Sequence, residues 1–210
     1  MSVRRDAKAQ AGPQLNPVAL GETVGALVVA VLVLTVGYST WNRYGYEQGL
    51  AEARSHYAVG GRGYVAARAV LDSIRGVGAS EGDYYQLSAS VWLLKPDNHE
   101  EATKEYEQLD VIQPDHPAAS VGLGLTKLLA ACEVDDRTER RQLCEEATNL
   151  FEAAMESSQD QSASTESRLA GEGLVATSLV NRAAALVLSD PGSNRKLDKA
   201  QGLLAEAEET

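Results

Sequence analysis

Residues 98–117 read NHEEATKEYEQLDVIQPDHP, and this stretch decides the fold. Ala102, Tyr106 and Leu109 fall at i, i+4 and i+7, so they share one helix face, and Pro114 follows five residues later as a stop. The same trio recurs upstream as Ala67, Leu71 and Ile74, and downstream as Ala147, Phe151, Ala154 and Ala200, Leu204, Ala207. Small, large and medium side chains on one face suit a helix that packs closely on two neighbours. Their repetition predicts an all-α fold of stacked helical units.

The 210 residues suffice for one domain with a core, plus an appendage. Hydrophobic residues make up 44%, yet there is one Phe and two Trp, so Ala, Leu and Val carry the apolar content. That favours close-packed helices over an aromatic-rich sheet sandwich. The formal net charge is -11 and the pI about 4.8, an acidic surface that repels phosphate backbones and argues against nucleic acid as a partner. The charge is uneven. Residues 1–42 hold three Lys/Arg and two Asp/Glu, whereas residues 43–210 hold sixteen and twenty-eight, a net of -12.

Residues 1–17 are polar, with Arg4, Arg5, Lys8, Pro13 and Pro17, and predict a disordered tail. A membrane anchor is expected over residues 18–43. Its centre, TVGALVVAVLVLTVGYSTWN at residues 23–42, has no charge in twenty residues. As a helix it rises roughly 30 Å, the thickness of a hydrocarbon core. Positive charge precedes it, as in a signal peptide, but no A-x-A-like cleavage site follows. Tyr38, Trp41, Tyr44 and Tyr46 at its exit read instead as the interfacial belt of a retained span. The positive-inside rule sets Arg4, Arg5 and Lys8 on one side against Arg43 and Arg54 on the other. That places the tail in the cytoplasm and the domain, residues 44–210, in the periplasm of a bacterial inner membrane.

Within residues 44–210 four helix pairs are expected: 44–59 with 64–75, 83–94 with 99–112, 118–131 with 145–155, and 166–188 with 196–208. Asp97 or Asn98 is placed to cap the helix that starts at His99. Residues 133–142 read as a charged insert, and SSQDQSASTES, residues 157–167, as a flexible connection. The second pair resembles a tetratricopeptide repeat (TPR). Aligned on Ala102 as the small residue of the family's second helix, Tyr106, Leu109 and Pro114 match its aromatic, apolar and proline positions. Ser90 and Leu93 match its first helix, Leu123-Gly124 matches its Leu-Gly pair, and Gln86 departs from its Trp. Successive small residues lie 35, 45 and 53 apart, against about 34 in the family. The excess falls in loops and one lengthened helix.

The resemblance covers roughly residues 44–210 and implies a solenoid of about four hairpins. It also implies a groove lined by the first helix of each pair, which holds a peptide or partner helix. Carried over, that groove is Tyr84, Leu87, Val91 and Lys95 in the second unit and Ala118, Val121, Leu125 and Leu128 in the third. It lacks the Lys and Asn pattern of the family's carboxylate clamps. The alternative is that some of these residues pack against the long helix of the fourth unit.

Cys132 and Cys144 bracket the insert at the mouth of the third hairpin. One reading is a disulfide, which needs an oxidising compartment and stabilises by about 3 kcal/mol; the other is two reduced thiols. Catalytic motifs are absent from the sequence: there is no Gly-x-Ser-x-Gly, HExxH or Walker signature, and no CxxC. The three His are scattered over separate units, with His99 and His116 expected in exposed turns at helix starts. No enzyme, cofactor or metal is expected. The function that follows is a membrane-anchored scaffold or adaptor, with the lipid bilayer around residues 23–42 and a membrane-associated protein as partners. The alternative is a permanent accessory subunit of a large membrane complex.

Overall fold

The computed structural model describes the backbone of residues 17–160 and 165–209, and within it the side chains of residues 31–95, 97–158 and 173–209. Among these residues the fold is all-α, without strands. The helices are α1 (Pro17–Ala58), α2 (Tyr64–Gly78), α3 (Gly82–Trp92), α4 (His99–Ile112), α5 (Pro117–Glu133), α6 (Arg137–Asp160), α7 (Thr165–Ser189) and α8 (Asn194–Glu209). The chain divides into two units between Tyr44 and Gly45. The expected tail lies outside the described residues, apart from the helical Pro17.

In the second unit, residues 45–58 of α1 pack on α2. Tyr46, Leu50 and Ala53 share one buried cluster with Ala67 and Leu71 of α2 and with Tyr84, Leu87 and Val91 of α3. From α2 onward each helix packs on the next, and α3 also touches α5 as α5 touches α7. This packing is compatible with a helical solenoid. The repeated trio explains it. Ala102, Tyr106 and Leu109 are all buried, as are Ala147, Phe151 and Ala154. The fourth trio departs from expectation: Leu203 is buried, while Leu204, one residue on, is 42% exposed.

α5 is the central helix, and no side chain from Pro117 to Ala131 is fully exposed. Two glycines let its neighbours come close. A Cβ on Gly122 would run into the Tyr106 ring of α4, and one on Gly124 would lie 2.5 Å from Cε1 of Phe151 on α6. Positions 122 and 124 point to opposite sides of a helix, so each glycine accepts one aromatic ring from one flank. In the second and third trios the large member thus fills a socket that a glycine leaves in α5.

Local chemistry sets the helix ends. Gly60, at φ +72°, ends α1 with a conformation that costs glycine little. α6 starts at Arg137, so most of the segment expected as an insert is helical. Asp136 Oδ1 accepts from the backbone N–H of Thr138 (2.8 Å) and Glu139 (2.9 Å), the cap of an Asp-x-x-Glu start. Arg140 then reaches back to the carbonyl of Val134, at 2.8 Å from Nη2, and ties down the end of α5. The expected flexible connection is also partly helical: α6 continues to Asp160, and the buried Ser158 donates to the carbonyl of Ala154 at 2.7 Å. Asn98 stands at the start of α4 without capping it; its amide donates to the Tyr64 hydroxyl at 3.2 Å.

His116, expected in an exposed turn, is half-buried and caps α5: its Nδ1 accepts from the N–H of Ala118 at 3.2 Å. Burial pushes its pKa below the ordinary 6.5, with Asp83 opposing the shift. The native state therefore takes up this proton less readily than the unfolded chain, and a protonated Nδ1 cannot accept the bond. The contribution is complete above the unfolded pKa and is lost as pH falls below it. Denaturant titrations should show stability declining from pH 7 to pH 5, with a shallower decline in His116→Asn. Equal slopes in the two proteins would show that His116 carries none of it.

Candidate functional site

The first candidate is the apolar helix of the first unit. Every side chain from Val31 to Trp41 is exposed, including Val33 at 65% and Leu34 at 71%. An uncharged run this long in contact with solvent exceeds the scattered apolar residues of ordinary surfaces and marks a covered face. Its two described threonine hydroxyls bond to the segment's own backbone. Thr35 Oγ1 donates to the carbonyl of Val31 at 2.7 Å, and Thr40 Oγ1 to that of Val36 at 2.8 Å. Such back-bonding lets Thr sit where no water is at hand. Tyr38, Trp41 and Tyr44, the expected interfacial aromatics, are all exposed. Tyr46 is not: it is 8% exposed and belongs to the core of the second unit, because helical geometry turns it onto the face of Leu50 and Ala53. Burial, with help from Glu81 and Asp83, pushes its hydroxyl up to about 12. Among the described residues no helix is long and apolar enough to cross a membrane. Residues 23–30 of the expected span lie outside the described side chains.

The second candidate, the groove inferred from the repeat resemblance, is filled. Tyr84, Leu87 and Val91 are buried against α1 and α2. Val121 and Leu128 are buried against Ala147, Phe151 and Ala154 of α6 and Ala185 of α7, with Leu125 half-buried beside them. Ala118 is also half-buried. Lys95 is exposed, with its Nζ 4.5 Å from the centre of the Tyr64 ring. The reason is physical: α3 and α5 have neighbours on several sides, so the face assigned to a ligand is taken by the chain itself, and for Val121 and Leu128 this is the alternative reading, packing that includes the long helix of the fourth unit.

A cation–aromatic cluster that the sequence did not reveal joins the first two hairpins. The Arg68 guanidinium lies 4.1 Å from the centre of the Trp92 ring, and its two terminal nitrogens donate to Ser88 Oγ (2.9 Å) and Asp72 (2.8 Å). Tyr64 packs against Trp92 with ring centres 6.0 Å apart. Arg68 thus has its bonds satisfied within the chain, and the cluster serves as a fastening. Its members come from separate helices, so no local pattern announces them.

The two cysteines are free thiols, Cys132 exposed and Cys144 buried, so the structure holds the reduced form. The bridge reading assumed the mouth of a hairpin whose second helix began near residue 145. Since α6 begins at Arg137, Cys144 instead lies two turns inside that helix. It lines a cleft of about 240 Å³ between α6, α7 and the start of α8, beside Arg141, Thr148, Asn149, Ser189 and Lys196. Burial and the neighbouring Cys132 push the Cys144 thiol pKa up, while Lys196 and Arg140 act in the opposite sense, so this is no activated nucleophile. Among the described residues no three His, Cys, Asp or Glu side chains gather to hold a metal ion. No family model matches the chain, and neither a curated protein nor a solved structure matches it.

Proposed function

We propose that this chain is a membrane-anchored, TPR-like scaffold that holds a protein partner at the bilayer surface and performs no chemistry. One observation carries the reading: an uncharged helical segment exposed on all sides, with its threonine hydroxyls turned onto its own backbone and aromatics at its end. Lipid is the solvent that suits such a surface, because it rewards apolar side chains and offers polar ones no partner. The span proposed is residues 23–42. The charge asymmetry around it favours a cytoplasmic N-terminus and a periplasmic helical domain. The four hairpins of the second unit support the repeat reading, with the partner surface outside the filled groove.

Alkaline carbonate extraction of membranes from cells that express the full chain tests the anchor. The protein is expected in the pellet. Protease added to the periplasmic side is expected to digest residues 45–210 and to spare the N-terminal tail. Recovery of the intact chain in the alkaline supernatant would overturn the anchor, and digestion from the cytoplasmic side only would reverse the orientation.

A further inference from the structure

We propose that the cleft between α6, α7 and the start of α8 binds a small monocarboxylate, with Lys196 as the counter-charge and an apolar body of the ligand on the floor of the cleft. The site lies within the second unit and depends neither on where α1 lies nor on the scaffold reading.

Lys196 supplies the first reason. The second unit holds five half-buried Lys and Arg side chains among its described residues. Arg68, Lys127 and Arg182 each meet a carboxylate, at 2.8, 2.8 and 2.6 Å, and Arg140 meets the carbonyl of Val134. Lys196 meets a neutral group: its Nζ donates to Ser189 Oγ at 2.7 Å, and no carboxylate among the described residues pairs with it. Asp190, the acid next along the chain from Ser189, is taken by Arg137 at 2.7 Å. An ammonium withdrawn from water without a counter-charge calls for an anion.

The rest of the lining says which anion. Ser189 spends its own proton on the carbonyl of Leu186 at 2.9 Å, and Thr148 spends its proton on that of Cys144 at 2.8 Å. The protons still on offer belong to Lys196, to the Asn149 amide and to the terminal nitrogens of Arg141, whose Nε alone is engaged, with Glu145 at 3.1 Å. Arg141 and Lys196 against Glu145 leave the lining at +1, in a domain that is otherwise strongly acidic. One surplus positive charge matches a singly charged carboxylate, and Glu145 at the rim opposes a doubly charged phosphate. Cys144, Ala185 and Leu186 give the cleft its apolar side. Burial holds the Cys144 thiol in its neutral form, so it does not repel the ligand. A space of about 240 Å³ exceeds the ~150 Å³ that takes a benzene ring, which leaves room for a ring and its carboxylate. The neighbouring cleft beside Glu152, Met155 and Glu156 differs: its one cation, Arg182, is already neutralised by Glu152.

The test is calorimetric titration of the full chain in a non-ionic detergent, with the same detergent in cell and syringe. Benzoate is expected to bind with a Kd of about 0.1–1 mM at pH 7. Benzylamine, of the same shape and opposite charge, should give no binding heat, and inorganic phosphate should bind at least about tenfold more weakly than benzoate. Lys196→Gln should weaken benzoate by about tenfold and Arg141→Gln by about threefold. Uptake by micelles is the same for all three proteins, so it cancels in this comparison. Arg141 is exposed, so its replacement leaves the fold intact even if Lys196→Gln lowers the melting temperature. Absence of benzoate binding, phosphate or benzylamine binding as tightly as benzoate, or a benzoate affinity unchanged in Arg141→Gln and in a folded Lys196→Gln would each overturn the proposal.

Discussion

Lysine at both Leu32 and Leu34 is expected to release the full chain from membranes into the alkaline supernatant. These residues lie at the middle of the twenty-residue uncharged segment and are 58% and 71% exposed. A lysine near the centre of a span costs about 2.5–3.5 kcal/mol, so the pair shifts insertion by roughly four orders of magnitude. Neither side chain packs against protein, so the change acts on the solvent around the helix and not on a core. The helical signal of residues 45–209 should persist, which circular dichroism of the released protein would check. A variant that stays in the membrane pellet as fully as the natural chain would show that the uncharged segment is covered by protein and that lipid is not its solvent.

Replacing Phe151 by alanine is expected to lower the unfolding free energy by about 3–5 kcal/mol, a large share of the 5–15 kcal/mol typical of a domain. The ring is fully buried, lies against Gly124 of α5, and shares its cluster with Ala185 and Leu188 of α7. It bridges three helices, and no neighbouring backbone can collapse into the space it leaves without breaking the α5–α6 contact. For a chain of this size the melting temperature should fall by about 10 °C. Val65→Ala, at a position 72% exposed, provides the control and should stay within about 0.5 kcal/mol. A loss under about 1 kcal/mol for Phe151→Ala would mean that the socket in α5 does not hold the ring.

Phe151 also shows what a sequence makes legible. The spacing of Ala147, Phe151 and Ala154 reports a helix with a close-packed face, and all three are buried. The helix starting at His99 and ending at Ile112 was readable to the residue, because its apolar period, its acidic first turn and the Gln-Pro-Asp-His-Pro stop agree. α6 was harder. Its first two turns are charged, which hides the Asp136 cap within what reads as an insert, and Cys144 moves from a hairpin mouth to a helix interior as a result. The groove residues failed differently. Tyr84, Leu87, Val91, Val121 and Leu128 do share helix faces, but a shared face says nothing about whether a ligand or a neighbouring helix covers it.

Tyr38, Trp41 and Tyr44 against Tyr46, and Leu203 against Leu204, mark the same divide. Periodicity, the proline and glycine stops, and charge are properties of neighbours along the chain. They were enough to determine an all-α fold of paired helices with an uncharged segment before it. Coverage is a property of neighbours in space. Which aromatic enters the core, which leucine of α8 stays exposed, whether two thiols meet and which face is left for a partner all depend on how helices distant in sequence are set against each other, and only the tertiary structure decided them.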